Sequence, residues 1–294
     1  MTVVGYHLPV MLREVVDYLQ PSLGNTFVDV TLGGAGHAKA ILKAIGPDGT
    51  FIGIDRDEDA LDEVKEVIDS YRNASAIHGR MGDIKNILKE MEIKSVDGIL
   101  ADLGVSSHQF DVIERGFSFR GDAPLDMRMD RSKGESASEL LSRLDEDELV
   151  KILSELGEER YSKRIARAIA SSEEIKTTGE LAGLIQRSVP PPARYKRIHP
   201  ATRTFQAIRI AVNDELGELR NFLNDAPHLL SSGGRVAVIS YHSLEDRMVK
   251  WAFRELAMDD EFSLPKRKTI KASDDEIDSN PRARSARLRI LERN

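Results

Sequence analysis

Cysteine is absent from the 294 residues, which excludes disulfides, thiolate zinc sites, iron–sulfur clusters and a cysteine nucleophile, and makes a reducing, cytoplasmic compartment the natural setting. No run approaches the roughly 20 apolar residues that a bilayer crossing requires. Met1 to Leu12 also lacks a basic segment leading into a long apolar core, so the expectation is a protein neither exported nor anchored. The seven histidines are scattered without a His-Glu-x-x-His pair, leaving no motif for a catalytic metal. With 31% charged residues, 21 glycines and 11 prolines, neither disordered nor fibrous composition applies. The length allows about two domains and a sizeable core.

Four apolar, β-branched-rich segments begin about 24 residues apart: Thr26 to Leu32, Thr50 to Ile54, Ala74 to His78 and Val96 to Leu100. This is the spacing of repeated strand–helix–strand units in a parallel sheet. Ala38 to Ile45 and Asp57 to Ser70 carry one-sided apolar patterns between them, so this half reads as a doubly wound α/β domain with helices on both faces.

After Leu103 the rhythm stops. Helices are expected over Ser138 to Leu156, Ser162 to Ala170 and Thr178 to Val189, an extended stretch at Pro190 to Pro192, and a helix from about Thr202 to Asn213. The sheet pattern then returns with a helix over Glu215 to Leu230, a stop at Gly233-Gly234, a strand from Arg235 to Ser240, a helix over Glu245 to Leu256 and a last strand at Ala286 to Leu291. Asp259 to Asn280 is expected to be the most mobile stretch. The expected organisation is a sheet domain over residues 1–108 and 214–294, interrupted by a helical insertion over 109–213.

Forty-two basic and 49 acidic residues give a net charge of −7, a sign that by itself disfavours a polyanionic partner. The charge is unevenly spread. Arg160 to Arg209 holds eleven Lys or Arg against three acids, a local net of +8 that leaves −15 on the rest. Such polarisation suits one polyanion-facing surface, although it equally describes a solvated face. A second basic cluster, Arg282, Arg284, Arg287 and Arg289, lies in the tail.

The first strand runs into Gly33-Gly34-Ala35-Gly36-His37 and then a helix, and Asp55 ends the second strand about twenty residues later. Glycines allow a sharp turn and close backbone approach, the helix start offers free amides, and a carboxylate at the second strand's tip can accept both ribose hydroxyls. A nicotinamide dinucleotide would want a third glycine where Lys39 stands. Acids at Asp29, Asp55 and Asp102 suit S-adenosylmethionine better, since it carries a ribose, an ammonium and a sulfonium.

Asp29-Val-Thr-Leu-Gly-Gly-Ala-Gly-His37, Asp97-Gly-Ile-Leu-Ala-Asp-Leu-Gly-Val-Ser-Ser107, Arg115-Gly-Phe-Ser-Phe119, Pro124-Leu-Asp-Met-Arg-Met-Asp130, His199-Pro-Ala-Thr-Arg-Thr-Phe-Gln-Ala-Ile-Arg209 and Ser240-Tyr-His-Ser-Leu-Glu-Asp-Arg247 follow one another in this order. With Gly157-Glu-Glu-Arg160 and Asn280-Pro-Arg-Ala-Arg284, the series closely resembles the small-subunit ribosomal RNA (cytosine-N4)-methyltransferase H family, over nearly the whole chain from His7-Leu-Pro-Val10 to the tail. The resemblance implies a Rossmann-like class I methyltransferase sheet with an inserted all-helical domain for RNA recognition. It further implies methylation, by S-adenosylmethionine, of N4 of a cytidine in the decoding region of 16S rRNA, within the small ribosomal subunit. Carried over position by position, the cofactor contacts are Ala35, Gly36, His37, Asp55, Met81, Asp102 and Gln109. Met81 departs from the family, which commonly has Phe there; a thioether still packs on a purine face.

The exocyclic amine of cytosine is a weak nucleophile, so alignment and charge stabilisation are needed more than a strong base. Asp102 can bind cofactor, orient the amine or do both, and His242 is a second candidate whose other reading is a hydrogen-bonded loop histidine; no proton acceptor is assigned. Ser240, His242 and Asp246 carry the letters of a hydrolase triad but crowd one segment without Gly-x-Ser-x-Gly. Because the target base must leave its stack, the insertion is expected to wall an RNA cleft, with Arg194, Lys196, Arg197 and Arg203 as phosphate contacts. Met127 and Met129 read as core ahead of cleft lining, and Phe205, Ile208 and Val212 as the apolar side of a helix. The competing readings are the same fold acting on another RNA, a protein or a small molecule, and a non-catalytic binding module.

Overall fold

The computed structural model describes residues 9–195 and 199–294. The chain divides into two compact units, Met1–Ser106 with Leu216–Asn294, and Ser107–Glu215. In chain order, α1 (Leu12–Leu19) precedes β1 (Thr26–Asp29), α2 (Gly36–Ile45), β2 (Thr50–Asp55), α3 (Glu58–Asp69), β3 (Ala74–His78), α4 (Ile84–Glu90) and β4 (Val96–Asp102). The second unit contributes α5 (Ser107–Asp111), α6 (Ala137–Arg143), α7 (Glu146–Glu155), α8 (Ser162–Ala170), α9 (Thr178–Ser188), α10 (Pro191–Arg194) and α11 (Ala201–Asn213). The chain then returns through α12 (Glu215–Asp225), β5 (Leu230–Ser240), α13 (Ser243–Leu256), β6 (Phe262–Ser263), α14 (Asp274–Ser279) and β7 (Arg287–Arg293).

The seven strands form one sheet in the order β3-β2-β1-β4-β5-β7-β6. Strands β1 to β5 run parallel, and β7 is antiparallel to both β5 and β6. This is the Rossmann-like class I arrangement that the resemblance implies. Side-chain alternation along each strand feeds two cores. Phe27, Phe51, Leu100 and Ile239 pack with Val15 of α1, Ile41 of α2 and Ile68 of α3 on one face. Val28, Ile52, Ile99 and Val238 pack with Leu88 of α4, Phe222 of α12 and Phe253 of α13 on the other. Strand β3 lies at the sheet edge, and its residues are exposed or only half-buried.

Several expectations change in the structure. The helix expected over Ser138 to Leu156 is two, because Leu144 is extended and Asp145 caps a new start by accepting the Glu148 amide. Pro190 to Pro192 is not an extended stretch: Pro190 caps α10 and the next two prolines fill its first turn, where a missing amide costs nothing. The helix after Asn213 stops at Asp225 and continues as a 3-10 turn, Ala226–Leu229. Gly233-Gly234 lies inside β5, where Gly233 takes φ +78° and the pairing with β4 slips between Val96 and Gly98; it is a bulge, not a stop. The stretch Asp259 to Asn280 carries β6, α14 and a bridge from Ile270 to Leu288, and Glu276 accepts the Met11 amide at 2.6 Å.

In the second unit, the Pro124 to Asp130 loop is knitted to its own helices. Arg115, 2% exposed, donates to the carbonyls of Arg128 and Met129. Asn213 at the end of α11 accepts the Met129 amide and donates to the Met127 carbonyl. Met127 and Met129 are buried, at 1% and 5% exposure, and so belong to core. Phe205 and Ile208 are buried too, with Val212 partly so.

One glycine in the sheet is set by a neighbour. Gly98 of β4 pairs with Phe27 of β1, and a methyl group there would fall within the phenyl ring. Gly98→Ala is therefore expected to destabilise the fold by about 3 kcal/mol or more, read as a lowered midpoint in urea with an unchanged slope.

Candidate functional site

The parallel strands end on one sheet edge, and three of them deliver a carboxylate there: Asp29 from β1, Asp55 from β2 and Asp102 from β4. Ligands of doubly wound sheets bind at this edge. From β1 the chain turns through Leu32, Gly33, Gly34 and Ala35, and the Ala35 amide donates to the Leu32 carbonyl at 2.9 Å. Gly33 takes φ +46° as the turn demands, and Ala35 takes φ +56° while wholly buried. Left-handed backbone costs an alanine about 1 to 2 kcal/mol. Ala35 is the N-cap of α2 and brings no side-chain acceptor, so the opening amides of α2 lack the partner that caps usually supply. A methyl group on Gly34 would meet nothing within 4 Å, whereas one on Gly36 would sit 3.0 Å from the Pro9 ring. Gly36 thus lacks a side chain to let the N-terminal segment pack, and it is Gly34 that leaves room above the loop.

Asp55 braces this loop. Its Oδ2 accepts the Gly33 amide at 2.8 Å and its Oδ1 the Asp57 amide at 3.0 Å. Each oxygen keeps a second acceptor site, and the residue is only half-buried, so two further hydroxyl donors can be taken. Burial pushes its carboxyl above the ordinary range, against the pull of the Gly33 and Asp57 amides.

Asp29 lies deeper, 1% exposed. Its Oδ1 accepts the Thr31 amide at 3.0 Å and the Thr31 hydroxyl at 3.2 Å. The same hydroxyl oxygen accepts the Asp102 amide at 2.6 Å, so Thr31 joins the tips of β1 and β4. Burial lifts the Asp29 carboxyl from 3.8 to about 6, with His37 and the Thr31 amide pulling down and Asp102 pushing up. His37, in the first turn of α2, is 6% exposed. Its Nε2 stands 3.6 Å from Asp102 Oδ2, and neither ring nitrogen has a hydrogen-bond partner among the described residues. A buried imidazole with no hydrogen-bond partner, facing Asp102 across 3.6 Å, keeps hydrogen-bonding capacity unused at the edge of a carboxylate cluster.

Tyr241, the residue that follows β5, completes the edge and was not among the residues expected from sequence. Its hydroxyl donates to Asp102 Oδ1 at 2.7 Å. Burial, then the Asp102 charge and hydrogen bond, keep the phenol protonated by raising its pKa well above the ordinary value. The available signal was position alone: Tyr241 leaves β5 on the same edge as Asp102. The neighbouring His242 instead caps α13. Its Nδ1 accepts the Glu245 amide at 3.4 Å, its Nε2 stands 3.1 Å from Glu245 Oε1, and Glu245 Oε2 accepts the amides of Tyr241 and His242. That arrangement matches the reading of His242 as a hydrogen-bonded histidine at the helix start. Asp246 is held by Arg289 and Arg287 at 2.7 and 3.1 Å, and the Ser240 hydroxyl donates to the Arg287 carbonyl, so the triad letters do not meet. Burial raises the Asp246 carboxyl, but the two guanidinium groups outweigh it and hold the pKa below the ordinary range.

Of the expected contacts, Ala35, Gly36, His37, Asp55 and Asp102 thus share one edge. Met81 opens a 3-10 turn just past β3, half-exposed and packed on the second core. Glu218 of α12, 6% exposed, anchors this turn by accepting from Arg80 Nη1 at 3.1 Å and from the Gly82 amide at 3.2 Å. Gln109 is buried in α5 of the other unit. Among the phosphate candidates, Lys196 and Arg197 lie outside the described residues, as does His7. Arg194 donates to the Val189 and Arg187 carbonyls, closing the end of α9, and Arg203 donates to the Glu158 carbonyl. Lys163, Arg164 and Arg167 stand exposed on α8, with Arg167 3.4 Å from Glu146. In the tail, Arg287 and Arg289 are taken up by Asp246.

The model of the MraW methylase family matches residues 5–294. The chain is 45% identical to the ribosomal RNA small subunit methyltransferase H of Halothermothrix orenii, with 98% of each chain covered. It is 48% identical to the protein of that name from Syntrophotalea carbinolica, covering 98% of each, and 43% identical to that of Clostridioides difficile, covering 98% of this chain and 99% of the relative.

The raised pKa of Asp29 makes a pH prediction whose sign follows from linkage. Its ionisation opposes folding: the cost is absent below 3.8, grows up to about 6 and is constant above. Asp29→Asn retains an acceptor for Thr31 and removes the charge. The variant is expected to be more stable than the parent by on the order of 2 to 3 kcal/mol above pH 7, with the difference vanishing near pH 4. Urea melts across that range measure it, and a pH-independent difference would contradict the assignment.

Proposed function

Because the chain belongs to the MraW methylase family, we propose that it transfers a methyl group from S-adenosylmethionine to the exocyclic N4 of a cytidine in the decoding region of 16S rRNA. The observation that carries this reading is the edge where three carboxylates, an unpartnered buried histidine and an uncapped helix start meet beside an open glycine loop. These groups fit the donor. The open amides of α2 behind Ala35, Gly36 and His37 suit its carboxylate. The spare acceptor sites of Asp55 suit the ribose hydroxyls, and Met81 offers a polarizable face to the adenine. Asp102 completes the contact set on this edge.

Bound, the donor supplies an electrophilic methyl group on a sulfonium. The chain's own share is alignment and charge. Asp102 keeps one oxygen on Tyr241, so its other lone pairs face a fixed direction; a carboxylate so held accepts a hydrogen of the cytosine amine, aims the nitrogen and offsets the positive charge that develops there. As the N–C bond forms and the S–C bond breaks, the N–H becomes acidic, and its proton leaves to Asp102 or to water. Thr31 fixes the Asp102 backbone, and the ionised Asp29 behind it adds negative potential. The second unit, with the cations of α8, serves RNA recognition. The substrate lies in the small ribosomal subunit, and the place of action is the bacterial cytoplasm.

Labelled methyl transfer to small subunits and to naked 16S rRNA, with nucleosides analysed after digestion, is expected to yield N4-methylcytidine. Label in protein, in another nucleoside or nowhere would overturn the reading. Asp55→Ala is expected to weaken S-adenosylhomocysteine binding roughly 10- to 100-fold through loss of charge-assisted hydrogen bonds. Unchanged calorimetric affinity would remove Asp55 from the ribose site.

A further inference from the structure

The outer face of α13 and the loop beyond β6 take no part in the site above. Arg247, Trp251 and Arg254 recur at helical spacing along that face, with Lys250 beside them and Met258 in the turn that follows. Trp251 is the only tryptophan of the chain and is 58% exposed; Met258 is 87% exposed. Lys250 Nζ stands 5.2 Å and Arg254 Cζ 5.8 Å from the indole centroid.

Across a shallow groove from them comes the loop 264–273, which carries Lys266, Arg267, Lys268 and Lys271 and no acid. Lys250, Arg254, Lys266 and Arg267 line this groove together over a floor that includes Phe253 and Leu264. The loop is held in place by the Ile270 amide on the Leu288 carbonyl and the Leu288 amide on the Ile270 carbonyl, at 3.1 and 3.0 Å. Arg289, at the groove's end, is already occupied by Asp246. The other four cations have no ion-pair partner among the described residues. Acids flank the patch along the chain at Glu255, at Asp259 to Glu261, where Glu261 pairs with Arg293, and at Asp274 to Glu276 beyond the loop.

We propose that the exposed Trp251 and the cations bordering this shallow indentation form a second RNA-contact surface, on which a single-stranded segment stacks a base on Trp251 and lays its phosphates across Lys250, Arg254, Lys266 and Arg267. Four unpaired cations on a chain of net charge −7 match a polyanion, and an exposed indole among them matches a base in preference to a carboxylate side chain. The inference rests on the rRNA substrate argued above. Trp251 lies about 14 Å along α13 from the His242 cap at the candidate edge, a distance spanned by a few nucleotides of extended RNA, so this surface would hold sequence flanking the target.

Because Trp251 is the only tryptophan, its fluorescence reports on this surface directly. Titrating the full-length protein with a short oligouridylate is expected to quench it, with an affinity that falls steeply with salt. Lys266→Gln with Arg267→Gln, which leaves the indole in place, should cut affinity about tenfold and reduce the salt slope by about 1 to 2. Trp251→Ala, followed by anisotropy of labelled oligouridylate, should weaken binding roughly tenfold, while S-adenosylhomocysteine affinity stays unchanged in both variants. Absence of quenching, unchanged oligonucleotide affinity in both variants, or equal quenching by polyglutamate, which would mark a protein-docking surface, overturns the proposal. Methyl transfer to small subunits by the parent chain separates the two readings. Methylation without quenching sinks this surface alone, and quenching without methylation sinks the proposed activity and leaves the surface standing.

Discussion

The hydroxyl of Thr31 joins the tips of two strands that each end in a carboxylate. It donates to the Asp29 carboxylate and accepts the backbone amide of Asp102, so one atom ties β1 to β4 where their acids lie. Tyr241 secures the other side of Asp102 from β5. Three strand ends are thereby held at the edge where a ligand arrives, and the charge collected there has little water to screen it. The raised Asp29 pKa is the measure of that cost. A site that keeps uncompensated negative charge in a buried place suits a cationic ligand, which a sulfonium nucleoside is.

Much of what surrounds this edge is scaffolding. Asp55 braces Gly33 while presenting its remaining lone pairs outward. Glu218 reaches from α12 to fix the turn that carries Met81. His242 and Glu245 close the start of α13 immediately after Tyr241, so the cap that ends the strand also sets where the phenol points. In the second unit, Arg115 and Asn213 spend their donors on the backbone of the Pro124 to Asp130 loop. Several residues of the recognisable motifs are therefore there to hold a backbone, and only a subset faces the ligand edge.

The glycine loop, the acids at Asp55 and Asp102 and the strand-and-helix rhythm were legible because each depends on local rules: apolar periodicity, a glycine where φ is positive, a carboxylate where a strand ends. Errors came mostly where a distant partner decides, and once where a local cap interrupts a continuous apolar face. The break between α6 and α7 depended on Asp145 finding the Glu148 amide; the chemistry of that cap was present in the letters, but the apolar face ran through it. Arg194, Arg203, Arg287 and Arg289 read as free cations, and only the fold shows which carbonyls and carboxylates they meet. Tyr241 was passed over because nothing adjacent to it in sequence reveals the hydroxyl's partner, 139 positions away.

By itself, then, the sequence determined the class of sheet, the loop that opens α2 and the acids that end β2 and β4, and its motifs carried the resemblance to the family. The sheet, the loop and those acids follow from short-range periodicity and spacing, which a linear text preserves; that β1 stops at Asp29 and not at Leu32 came from the structure. Only the tertiary structure decided which charged side chains are already spoken for, that Thr31 and Tyr241 both hydrogen-bond Asp102, that His242 caps a helix, and that Trp251 faces solvent among unpaired cations. Those outcomes turn on which groups, remote along the chain, come within hydrogen-bond reach. That is a matter of three-dimensional distance, which spacing along the chain does not encode.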